Sequence, residues 1–180
     1  MAGKAVFGLF SSAQQAARAA NELKAAGFTP NDISVLLPDQ NATRDFAHEA
    51  NTKMPEGVAA GAGTGGLIGA GLGWLVGIGS LAIPGLGPFI AAGPIMAALS
   101  GAAVGAAVGG LTGALVGMGI PEIEAKQYES KLREGNVLLS VHTEDGAQRE
   151  LATEILERYG AHDISSSGEA SVPRRQAAAR

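Results

Sequence analysis

Short apolar runs bounded by polar residues recur near both ends of the chain, and each is followed by a segment of helical periodicity. Residues 4–10 (KAVFGLF) read as a strand. Ser11 or Ser12 can cap the helix that follows, in which Ala13, Ala16, Ala20 and Leu23 recur at helical spacing. Gly27 stands where the residue just past a helix C-terminus often lies. The run Thr29-Pro-Asn-Asp32 has turn chemistry, and residues 33–37 (ISVLL) read as a second strand stopped by Pro38.

The same strand–helix–strand unit returns near the C-terminus. Residues 136–142 (NVLLSVH) read as a strand, and Asp145 can cap the next helix with Gln148 three positions on. Leu151, Ile155 and Tyr159 supply an apolar stripe, Gly160 ends the helix, and residues 162–165 (HDIS) begin a last strand. The two helix exits align as NELKAAGFTPNDIS and TEILERYGAHDIS, the mark of an internal duplication. Each half is too small to bury a core by itself, so the halves are expected to pair. The predicted fold is α+β: a ferredoxin-like four-stranded sheet, split by an inserted glycine-rich apolar α-helical hairpin. A further helix over residues 121–134 carries Ile123, Tyr128 and Leu132 on one side and joins the insert to the second half.

The insert departs from this pattern. Gly57, Gly61, Gly65, Gly69, Gly73 and Gly77 are spaced by four, and so are Gly101, Gly105, Gly109, Gly113 and Gly117. On a helix each set forms a ridge without side chains, the small-residue surface on which two backbones approach closely. In water each such glycine costs roughly 0.8–1 kcal/mol relative to Ala, so close packing away from water is needed to offset it. Residues 57–83 and 95–120 are each long enough, at ~1.5 Å per residue, to cross the ~30 Å core of a bilayer. Residues 84–94 join them without a charge, as the tip of a hairpin.

Composition sharpens this division. No Asp, Glu, Lys or Arg occurs in residues 57–121, a stretch that holds 20 of the 27 glycines. The predicted organisation is a first half over residues 1–38, a polar linker over 39–56, the glycine-ladder hairpin over 57–120, the connecting helix and second half over 121–167, and a disordered tail over 168–180. Net charge is −4, which speaks against nucleic acid as a partner. Cysteine is absent, as suits a reducing compartment, and the first ten residues lack the longer apolar region of a signal peptide.

The segment VFGLFSSAQQAARAANELKAAGFTPNDISVLLPD, about the first 40 positions, resembles the bacterial heat-induced general stress protein family (the YflT-like domain). The resemblance implies a stress-associated protein facing the cytosol, without enzymatic activity, and it carries over no catalytic residues. The leading expectation is therefore a non-enzymatic stress protein at the cytoplasmic face of the inner membrane. It would insert its hairpin in lipid and assemble with copies of itself. The alternative is a soluble homo-oligomeric scaffold or shell in the cytoplasm, with hairpins buried inside the assembly.

No catalytic, cofactor or metal site is expected. His48, His142 and His162 lack the spacing of a helix-borne metal pair. Glu122 and Glu124 read as carboxylates favoured by a helix N-terminus. Gly63-Thr-Gly-Gly66 lacks the following Lys and Ser or Thr of a phosphate loop.

Overall fold

The computed structural model describes residues 4–38, 74–75, 79–83, 87–95 and 110–168. Within them the order is β1 (Lys4–Phe10), α1 (Ala13–Ala25), β2 (Ile33–Pro38), β3 (Gly79–Ile83), β4 (Gly87–Ala92), α2 (Gly110–Gly117), α3 (Glu122–Arg133), β5 (Val137–Thr143), α4 (Gly146–Arg158) and β6 (His162–Gly168). The architecture is α+β. Six antiparallel strands form one sheet in the order β3-β4-β2-β5-β1-β6.

The helix ends follow the local signals. Ser12 caps α1 by accepting from the Gln15 amide at 3.3 Å, and Asp145 caps α4 by accepting from the Gln148 amide at 2.8 Å. The Gln148 side chain accepts in return from the amide of Glu144, one residue before the cap. Gly27 and Gly160, which follow the two helices, have φ of 102° and 87°.

Two separate cores lie on the two faces of the sheet. On one face Val6, Phe10, Ile33, Val35, Val137, Leu139 and Val141 meet Ala16, Ala20 and Leu23 of α1 and Ala152, Ile155 and Leu156 of α4. On the other face Ala5, Phe7, Leu9, Leu36 and Leu138 meet Leu111, Ala114 and Leu115 of α2 and Ala125, Tyr128 and Leu132 of α3. Helices therefore cover both faces, and β1 is buried from Ala5 to Phe10. A strand covered on both sides needs apolar residues at successive positions, which KAVFGLF and VLLSV supply.

The stripes expected on two helices hold at Ile155, Tyr128 and Leu132 and fail at Leu151 and Ile123. Leu151 is 39% exposed and Ile123 is 77% exposed; the buried faces are Ala152, Ile155 and Leu156 on α4, and Ala125, Tyr128 and Leu132 on α3.

The expected helical hairpin over residues 57–120 is corrected in part. Residues Gly79–Ile83 and Gly87–Ala92 are strands β3 and β4, paired antiparallel, with β4 lying beside β2. Pro84 and Pro88 each remove an amide donor and disfavour helix at the residue before them, whereas short apolar runs between Gly and Pro suit two edge-side strands. The sheet consequently has six strands rather than four. Only residues 110–117 of the second ladder are described, and they form helix α2.

The end of β4 is tied down onto β2. The amide of Ile95 donates to the buried Ser34 hydroxyl at 3.0 Å. Gly93 has φ of 93°, and a Cβ built there would lie 2.3 Å from the Ile33 carbonyl oxygen. Only glycine permits the backbone to bend and approach so closely.

Candidate functional site

The most distinctive polar geometry lies where α3 crosses the β6 edge. In the pairing of β1 with β6, Phe7 faces Ser165 and Leu9 faces His162. Two steps along β1 thus match three along β6, so β6 contains a bulge. Inside it Asp163 has φ of +51°, left-handed backbone that non-glycine residues seldom adopt. The Asp163 carbonyl oxygen accepts a hydrogen bond from the Tyr128 hydroxyl of α3 at 2.6 Å.

Tyr128 is buried, and burial pushes its phenol up to about 12. The Ser165 hydroxyl beside it favours the ionised form, while the negative charges of Glu124 and Asp163 add to the upward shift. Glu124 lies one helical turn before Tyr128. Its Oε2 is buried without a hydrogen-bond partner, and so is the Ser165 hydroxyl oxygen, which makes no bond of ordinary geometry. A carboxylate oxygen, a hydroxyl and a displaced backbone carbonyl thus converge at one sheet edge. Chemically this set accepts hydrogen bonds and attracts a positive charge.

Two other polar contacts position the surrounding elements. Glu129 of α3 accepts from both the hydroxyl and the amide of Thr112 on α2, and from Arg133 at 2.7 Å. Burial works to raise its pKa, but the hydrogen bonds from Arg133 and Thr112 outweigh that effect and hold the carboxyl below its ordinary value. On the opposite face, Trp74 donates from its indole to Asn21 at 2.9 Å, with the Lys24 ammonium 4.9 Å from its ring centroid. Trp74 and Leu75, expected in the middle of an apolar helix, pack instead against the α1 core.

Of the ladder glycines, Gly113 and Gly117 lie on the exposed side of α2, beside Val116, which is 41% exposed. A Cβ at either glycine would meet nothing within 4 Å. Gly57, Gly61, Gly65, Gly69, Gly73, Gly77, Gly101, Gly105 and Gly109 lie outside the described residues, as do His48, the expected linker and all of the expected tail after Gly168. His142 and His162 are on separate strands, opposite Ala5 and Leu9 of β1. Among the described residues no group of His, Cys, Asp and Glu could hold a metal ion, and no helix is long and apolar enough to cross a membrane.

Sequence reasoning recognised Glu124 only as a helix N-terminal carboxylate and did not find the β6 bulge. The available signal was Asp163 directly after the helix-ending turn, since Asp tolerates left-handed backbone better than most residues.

These features define an α+β domain whose sheet is covered on both faces and carries a polar cluster at one edge. The family model described as "Alternative complex III, ActD subunit" matches residues 4–166, and the chain belongs to this family. No curated protein and no solved structure matches it.

Family membership corrects several expectations. The chain is an ActD-family protein and not a member of the general stress protein family. The stress-associated role falls with that resemblance, which rested on fold signals (a capped helix, a turn and a strand) that unrelated α+β domains share. Insertion of a glycine-ladder hairpin in lipid is overturned too: strands occupy part of the hairpin, and the described helices are too short to span. A family defined by a subunit of a multi-subunit complex implies heteromeric partners, in place of the expected homo-oligomer or shell.

Proposed function

We propose that this protein serves as the ActD subunit of an alternative complex III, a membrane-associated respiratory electron-transfer complex, and contributes structure rather than catalysis. The observation that carries the reading is the family match across residues 4–166, which includes both strand–helix–strand halves and the segment between them. The role is to present a rigid sheet domain to neighbouring subunits from a peripheral position on the complex.

The strand order β2-β5-β1-β6 supports a ferredoxin-like core assembled from the two halves, extended on one side by β3 and β4. Residues 1–38 and 121–167 supply that core, and residues 57–120 form the segment inserted between them. The glycine ladders are contact surfaces for neighbouring subunits. The exposed Gly113 and Gly117 ridge on α2 supports this, since it leaves room for a second backbone to approach.

The test is affinity purification of the tagged full chain from its own membranes, with the captured subunits identified by mass spectrometry. Co-purification of the other subunits of the complex is the expected result. Deletion of the chain should reduce the assembled complex and its electron transfer in parallel. Capture of the chain alone would overturn the reading.

A further inference from the structure

Strand β6 is an edge strand. Among the described residues its backbone pairs with β1 and with nothing on its outer side. Such an edge presents unpaired amides and carbonyls, and proteins usually protect it with lysine, proline or a covering element. Here the strand reads HDISSSG, without either residue; a bulge at Asp163, itself a device that blunts edges, interrupts its first part, and Ser165–Gly168 beyond it pair in regular register with β1.

The face that Ser165 shares with Phe7 is the one covered by α3, because residues directly opposite in an antiparallel pair point the same way. A residue paired with Ser165 from an added outer strand would therefore also point toward α3. There it would meet the unpartnered Oε2 of Glu124 and the unpartnered Ser165 hydroxyl. A partly enclosed carboxylate that lacks a donor is costly until a positive or hydrogen-bonding group reaches it. Tyr128 does not fill that role, since its hydroxyl proton is committed to the Asp163 carbonyl.

Resting on the function proposed above, we infer that β6 is the docking edge for an extended segment of a neighbouring subunit, which adds a strand and places a Lys or Arg opposite Ser165 to pair with Glu124. Backbone hydrogen bonds supply the attachment and the charge pair sets its register.

The test uses the tagged full chain in its native membranes, comparing wild type with Glu124→Gln and Glu124→Lys. Recovery of partner subunits should fall at least about tenfold for Glu124→Lys and about threefold for the isosteric Glu124→Gln, as expected when one member of a close charge pair is reversed or neutralised. The melting curves of the isolated chains should stay within a few degrees of wild type. A photo-crosslinking residue at the exposed Ser166 should join the chain to a partner peptide that contains Lys or Arg. Undiminished recovery with both variants would overturn the inference while leaving the subunit role intact. Crosslinking to the chain's own residues 169–180, which include Arg174, Arg175 and Arg180, would overturn it too. Failure of wild type to recover any partner would instead overturn the subunit role.

Discussion

Tyr128 and Asp163 are joined by a 2.6 Å hydrogen bond that runs from a buried helix side chain to the one non-glycine residue with positive φ among the described positions. The bulge turns that carbonyl out of the strand ladder, and the phenol satisfies it. Removing the hydroxyl by Tyr128→Phe leaves the acceptor short of a partner and should cost about 1–3 kcal/mol in urea unfolding. The phenol is neutral in the folded chain to about pH 12, whereas the unfolded chain ionises it near its ordinary value of about 10. The folded state therefore binds more protons between those values. Stability from this group is fully present below about pH 10 and is lost as pH rises to about 12, by roughly 2–3 kcal/mol. The difference between wild type and Tyr128→Phe should narrow over that window.

Asp163 holds left-handed backbone that glycine adopts freely. Asp163→Gly should leave stability unchanged or raise it by up to about 1 kcal/mol, whereas Asp163→Val should lower it by about 1–2 kcal/mol. Thermal melts of the two variants check this. Equal effects would mean that the side chain, and not the backbone, matters at this position.

At Gly93 the backbone has no room for a side chain. Gly93→Ala should destabilise the chain by about 2–4 kcal/mol, because the new methyl meets Ile33 and Ser34 while φ stays at 93°. Hydrogen exchange should show β3 and β4 losing protection before β1 and β5 do.

Trp74 fixes its segment to α1 through Asn21 and Lys24. Trp74→Ala should cost about 1–3 kcal/mol, and Lys24→Gln about 0.5–1 kcal/mol through loss of the ring–ammonium contact alone. Tryptophan fluorescence follows the second variant directly, since this is the chain's single tryptophan.

For the exposed ridge of α2, Gly113→Leu separates folding from assembly. The isolated chain should gain roughly 0.5–1 kcal/mol from better helix propensity, with no clash. Recovery of partner subunits should drop several-fold. Unchanged recovery would show that this face touches no neighbour.

Local signals in the sequence were informative wherever one element decides its own ends. Ser12 and Asp145 cap the helices that their positions suggested. The two strands of the insert lie between the ladders, after Gly77 and before Gly101, where the four-residue spacing does not apply. The local signal there was the prolines at 84 and 88, which disfavour helix over residues 79–92. The repeated Asp-Ile-Ser was legible as sequence but not as geometry. Asp32 uses its carboxylate to accept from the Thr29 amide and hydroxyl, both at 2.7 Å, and so builds a turn. The Asp32 carbonyl accepts from the His142 amide at 2.7 Å within the sheet, whereas the Asp163 carbonyl accepts from the Tyr128 hydroxyl. The difference arises from α3, a partner that the first copy of the motif lacks. Covering of the second sheet face, and with it the Glu124 cluster, also depended on where α2 and α3 fold back, which no local pattern encodes.

Strand β1 sits between β5 and β6, both of which lie more than 120 residues later in the chain. On a ribosome adding about 5–20 residues per second, this apolar strand must wait many seconds before either neighbour exists. Translation of residues 39–136 is therefore complete before β1 can be enclosed between its two neighbours.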